Sequence, residues 1–320
     1  MSTLRKLVRL RMRSDGFIVV AVLWILVALA TLATVYAVYV RNTAAALLVH
    51  DERVQTEGLA AAAIELVVYR MTAIPNVTPP QGNFDFRAGR TSVTVDFRTE
   101  NARVDLNAAP KPLLAGLFTA LGAGAPAAQA YADRIIAWRS APRPESPEDE
   151  ASLYRAAGLP YGPRFAPFPH PGELALVLGL PAVLVERAMP FVTVYSGQAQ
   201  INLLAAWPEV LAALPDMTPD RLNDLLALRQ AALQRLARRQ EPPQNDANLL
   251  TALGPTQAMV TTAASKGVRV TVRVAFENGR KTGSEIVLVL TESGNEPYSV
   301  LSWRDEIDDV PQDILPRTRR

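Results

Sequence analysis

Few side chains in this 320-residue chain could do chemistry. It contains no cysteine, which excludes disulfides, thiolate nucleophiles and zinc–thiolate sites. There are two histidines, His50 and His170. His50 falls on the charged side of a helical stretch and His170 in a proline-rich loop, so both read as ordinary solvated residues. The nucleophile-elbow, phosphate-loop and H-E-x-x-H zinc patterns are all absent, and no catalytic residue is expected. What remains is oxygen chemistry. Glu145, Glu148, Asp149 and Glu150 share one proline-rich loop, and Asp305, Glu306, Asp308 and Asp309 crowd the C-terminal end. Several carboxylates on one turn are what calcium requires; a solvated acidic loop is the plainer reading.

The elements that would carry these residues begin with an apolar run. Phe17 to Val40 holds no charged residue, and Arg5, Lys6, Arg9, Arg11 and Arg13 precede it. At about 1.5 Å per residue the run spans roughly 36 Å, enough for a bilayer core. The basic leader keeps the N-terminus cytoplasmic and sends the chain beyond residue 40 across the membrane. Ala28-Leu29-Ala30 could serve as an ordinary signal-cleavage site. The chain does not change character there, however. No proline occurs before Pro75, and Gly58 is the one glycine between Gly16 and that point. Thr43 to Met71 is rich in alanine, leucine and glutamate. One helix from about Phe17 to Thr72 is predicted, membrane-like in its first half and amphipathic in its second.

A basic leader, Gly16-Phe17, and a helix that is half membrane segment and half packing helix together resemble the class III signal of type IV pilins and type II secretion pseudopilins. The resemblance implies that a prepilin peptidase cuts between Gly16 and Phe17 and leaves the apolar run in place. Most members carry glutamate at the fifth mature position, to pair with a neighbouring subunit's amino terminus. Here that position is Ala21, a departure typical of the K-type minor pseudopilin, and one that suits the end of a filament.

Further along, Ile74 to Gly89 reads as a breaker region that ends the helix. "TSVTVDFR" (Thr91 to Arg98) alternates and reads as a strand, and Asn101 to Leu106 as a second, short one. "VDLNAAPKPLLAGL" from Val104 then aligns without gaps on "INLLAAWPEVLAAL" from Ile201, at a spacing of 97 residues. Each copy is a short extended piece, a turn, a proline near a helix start and an apolar helix. Helical patterns occur at Ala127 to Trp138, Pro171 to Leu178, Pro181 to Met189 and Thr218 to Arg239, the last with Thr218 as N-cap. Val268, Val270, Val272 and Val274 alternate with Arg269, Thr271 and Arg273, Asn278-Gly279 is a hairpin signal, and Tyr298 to Trp303 reads as a further strand. "VDLNAAPKPLL", "IIAWRSA" and Gly172 to Ser196 resemble the SAM-like, helix-hairpin-helix-related modules of K-type pseudopilins.

The expected fold is α+β: a pilin-like long helix packed on a small antiparallel sheet, interrupted by a large all-α insertion of two SAM-like units. The divisions are a removed leader (1–16), the long helix (17–72), the first part of the sheet (73–109), the insertion (110–262), the second part of the sheet (263–304) and a charged tail (305–320). The family implies a structural, non-enzymatic part that starts or caps a pseudopilus, anchored once in the bacterial inner membrane with its bulk in the periplasm. Implied partners are the I-type, J-type and H-type minor pseudopilins and the prepilin peptidase, with Ala44 to Met71 as the helix-to-helix surface. Some members bind calcium near a Trp-Arg segment followed by aspartates. Here Trp138-Arg139 is followed by Ser140, Ala141 and Pro142, which leaves Glu148, Asp149 and Glu150 as the metal candidates; no other cofactor is expected. Nucleic acid is not expected either: the formal net charge is only +2, and the turn Gly179-Leu180-Pro181 lacks an N–H at its proline. The competing reading is a signal-anchored exported binding protein with a helix-hairpin-helix-like module.

Overall fold

The computed structural model describes residues 15–73, 78–141, 150–237, 253–291 and 296–305. The chain falls into two units, Met1–Gly58 and Leu59–Arg320. Helix α1 runs Asp15–Thr72. In the first unit, Ile18–Thr43 is long and apolar enough to cross a membrane, with mean hydropathy 2.8 and none of its side chains buried. The threonine hydroxyls there are already bonded within the helix: Thr31 donates to the Val27 carbonyl and Thr34 to that of Ala30, at 2.7 and 2.8 Å. Neither hydroxyl is left seeking a partner in an apolar medium.

In the second unit, the end of α1 buries Ala60, Ala63, Ile64, Val67, Val68 and Met71, a 3-1-3-1-3 spacing that makes one apolar stripe. The stripe packs on an antiparallel five-stranded sheet of β1 (Gln81–Ala88), β2 (Thr91–Thr99), β7 (Gly267–Ala275), β8 (Lys281–Leu290) and β9 (Tyr298–Asp305), adjacent in that order. Val268, Val270, Val272 and Val274 all point into this core, essentially without exposure. Gly279 takes φ +84° in the β7–β8 turn and Gly89 φ +61° between β1 and β2, a region that glycine enters without strain.

Strand β1 overturns the expectation of a breaker region through Gly89. "QGNFDFRA" carries glycine, asparagine and aspartate, which read as turn. Paired in register with β2 from Gln81↔Arg98 to Ala88↔Thr91, it places half-buried Phe84 and Phe86 on the core side and Asn83, Asp85 and Arg87 in solvent. Gly82 is required by packing: a Cβ there would lie 2.6 Å from the Phe97 ring. Cross-strand packing outweighs local propensity.

Between β2 and β7 lies a helical region with its own core: α2 (Lys111–Ala120), α3 (Ala125–Arg139), α4 (Glu150–Ala156), α5 (Ala182–Ala188), α6 (Pro208–Ala212) and α7 (Pro219–Ala237). It is not purely helical. Short parallel pairs join β3 (Val104–Asp105) to β4 (Val192–Thr193) and β5 (Ile201–Asn202) to β6 (Val260–Thr261), and Pro171–Leu176 is a 3-10 turn and not an α-helix. The 97-residue echo is repeated in the wiring. The Asp105 carboxylate accepts from Asn107 N–H, and the Asn202 side chain from Leu204 N–H. Leu106 N–H donates to the Thr193 carbonyl, and Leu203 N–H to that of Thr261. Arg139 caps the Ala109 carbonyl, and Arg229 that of Ala206. The two helices of the repeat, α2 and α6, meet at Gly116 and Ala213, themselves 97 positions apart.

Candidate functional site

Among the described residues, those singled out for chemistry lie on separate elements. Gly16 and Phe17 fall in the first turn of α1, and Ala21 in the next. His50 lies within α1. His170 is a cap: its Nδ1 accepts from Gly172 N–H at 2.9 Å and starts the 3-10 turn. Of the metal candidates, Glu148 and Asp149 lie outside the described residues. Glu150 opens α4 and is ion-paired with Arg134 at 2.7 Å. A guanidinium already on that carboxylate is a poor neighbour for calcium, and no three acidic or histidine side chains are grouped among the described residues. The other oxygen of Glu150, Oε1, is buried and has no hydrogen-bond partner among the described residues.

A different constellation stands where the helical region meets the sheet. Glu100, one residue past β2, is wholly buried. Its carboxylate accepts from Arg269 of β7 at 2.7 and 3.1 Å, from Arg103 at 3.2 Å and from the Thr193 hydroxyl of β4. Arg269 also reaches Glu285 of β8 at 2.6 Å. Register explains the need for acid here: Arg98 and Arg269 are direct cross-strand partners, a like-charge pair that must be compensated. The guanidiniums of Arg98 and Arg103 lie over the Trp207 ring, 3.9 and 4.7 Å from its centroid. Next to Glu100, Asn101 donates to Gln198 and to the Ala263 carbonyl, and its backbone N–H donates to the Ser265 hydroxyl. Burial would raise the Glu100 carboxyl, but the charges of Arg269 and Arg103 and the hydrogen bonds outweigh it and hold Glu100 below its ordinary value. Burial, reinforced by the charge of Arg269, pulls Arg103 down to about 9 against the attraction of Glu100 and Glu285.

This seam was not expected from the sequence. Glu100 sits in "TENARVD", a stretch that reads as a polar turn; only the cross-strand register of two arginines hints at a buried acid, and that register is not visible in one sequence.

Exposed apolar side chains mark the candidate contact surfaces. On α1, Leu66 and Tyr69 point away from the sheet, Tyr69 with 69% of its surface exposed. Met71, Val67 and Ile64, inside the expected helix-to-helix surface, instead face the sheet, so the available face is narrower than the sequence suggests. On the edge strand β9, Val300, Leu301 and Trp303 are also exposed.

Residues 95–197, spanning the end of β2, the seam and the first copy of the repeat, match the family model of type II secretion system (T2SS) protein K. Over this stretch the chain is similar to the protein K family. Among solved structures, a chain in the crystal structure of the GspK-GspI-GspJ complex from the enterotoxigenic Escherichia coli Type 2 Secretion System matches with TM-score 0.58 and 19% identity, over 81% of this chain and 98% of that one. At that identity the likeness is one of fold: a long N-terminal helix with mixed helix and antiparallel sheet. No curated protein matches the chain. The apolar window of α1 is long and apolar enough to cross a membrane once.

Proposed function

We propose that this protein is a minor pseudopilin that starts or caps the tip of a type II secretion pseudopilus. The observation that carries the reading is the protein K match at residues 95–197 in a chain whose N-terminal helix is apolar over Ile18–Thr43. The prepilin peptidase cuts between Gly16 and Phe17, Phe17 to Val40 stays in the bacterial inner membrane, and the bulk of the chain faces the periplasm. The helical region forms two SAM-like units, a reading supported by the wiring shared at 97-residue spacing. Ala21 offers no carboxylate to a subunit ahead of it, in keeping with a terminal position; a carboxylate in lipid is costly unless paired. The partners are I-type and J-type minor pseudopilins, as in the complex that holds the similar chain, with the H-type next in the assembly.

Mass spectrometry of the N-terminus, with and without the prepilin peptidase, tests the processing. The expected mature chain begins at Phe17 only when the peptidase is present; an uncut chain, or one beginning near Thr31, refutes the reading. The contact surface is tested by Leu66→Glu and Tyr69→Glu. Both side chains are exposed in the single chain, so its thermal stability should hold within about 0.5 kcal/mol. Recovery of I-type and J-type subunits on co-purification should fall about tenfold or more, as when a charge enters an apolar helix contact. Undiminished recovery would place the contact elsewhere.

A further inference from the structure

Among the described residues, the second unit contains two apolar cores that share no residue: one between α1 and the sheet, the other within the helical region. What joins them is polar. Glu100 meets Arg269 and Thr193, Asn101 meets Gln198 and Ala263, Gln81 donates to the Leu204 carbonyl and Arg98 to that of Ala205, while Arg98 and Arg103 cover Trp207. Apolar contact is non-directional and tolerates sliding. A buried carboxylate held by two guanidiniums and a hydroxyl has one satisfactory geometry. A seam of this kind is a poor source of stability, because each ion must leave water, but it can select one arrangement among several.

We infer that Glu100 is a positioning residue: it fixes the bearing of the helical region on the sheet, and its contribution is to orientation more than to stability. Glu100 belongs to the link between β2 and β3 and lies within hydrogen-bonding reach of Arg269 on the sheet side and Thr193 on the helical side. Arg103 adds a second arm, donating to Glu100 and to the Pro190 carbonyl. The consequence for secretion depends on the tip reading, since a tip subunit must present its helical region at a set angle; the orientation itself does not depend on it.

The absence of native cysteine allows a direct test on the full chain in detergent. Spin labels are placed at Arg87→Cys on β1 and Glu186→Cys on α5, both exposed positions. Their distance distribution is compared between the otherwise native seam and a variant combining Glu100→Met, Arg103→Met, Arg269→Met and Glu285→Gln, which removes two carboxylates together with the two guanidiniums they pair with. The expected result is a melting temperature within about 3 °C of the parent with a distribution about twofold broader or more. A distribution as narrow as the parent's overturns the inference. So does a variant that no longer folds, because the seam would then be chiefly a source of stability. Secretion measured in the same strains reports separately on the tip reading: broad distances with unimpaired secretion would leave the positioning role standing and count against the tip assignment.

Discussion

Gly116→Ala is expected to destabilise the protein by about 3 kcal/mol, lowering the melting temperature by roughly 6–12 °C. Gly116 lies in α2, where a methyl group would normally strengthen a helix by up to ~1 kcal/mol. Here a Cβ would sit 1.9 Å from the carbonyl oxygen of Ala213 and 2.7 Å from its carbonyl carbon. Backbone cannot step aside by changing rotamer, so α2 and the end of α6 must separate. Leu113, Leu114, Leu117, Val210 and Leu211, fully buried in the same core, would then lose contact. Gly58→Ala is the matched control. It is also helical, but a Cβ there meets nothing within 4 Å, so the melting temperature should stay level or rise. Thermal unfolding of both variants decides the matter; a harmless Gly116→Ala would mean that the two repeat helices do not cross at this point.

Glu100→Gln is expected to cost about 3–5 kcal/mol at pH 7, the usual penalty for removing one partner from a buried ionic cluster. The amide keeps the shape but leaves Arg269, with side-chain exposure of 14%, and Arg103, with 10%, facing each other without their shared anion. Glu285 compensates Arg269 only in part, being itself at the rim. The loss should depend on pH with a definite sign. Glu100 is held below its ordinary value in the folded protein, so its contribution is fully present above the unfolded carboxyl pKa of about 4.3 and disappears as pH falls through the lower folded value. Denaturant unfolding at pH 7 should therefore separate parent and variant widely, and the two should converge in strong acid. A gap that persists unchanged at low pH would show that shape, and not charge, is what the glutamine disturbs.

These two effects differ in how far they could be foreseen. The 97-residue echo is visible as text, and it marks "PLLAGL" and "EVLAAL" as equivalent helices. It does not say that the helices cross, or that the glycine of one copy faces the backbone of the other. A repeat fixes what each copy resembles, whereas a crossing point is set by how two copies dock. Glu100 lies further from view. One sequence shows a glutamate after a strand; the β2–β7 register, which sets Arg98 opposite Arg269, exists only once the strands are paired.

Where local physics dominates, the residues alone were sufficient. The long helix arises from an uninterrupted run without proline and with a single glycine after Gly16, and it closes at Thr72. The buried face of β7 comes from alternating valines, and the turn after it from Asn278-Gly279. The combination of basic leader, Gly16-Phe17 and apolar run by itself resembles the pseudopilin families. The failures occur where distant parts decide. Gln81–Ala88 has turn-forming composition and became a strand because β2 offered an open edge and Phe97 needed the space above Gly82. In the acidic loop, the member whose surroundings are described, Glu150, pairs through one oxygen with Arg134 of α3, a partner that no local pattern indicates. Periodicity, breakers and charge runs act over a few residues and can be read along the chain. Register, helix crossings and the pairing of buried charges join residues tens to hundreds of positions apart, and only the folded structure determines which of them meet.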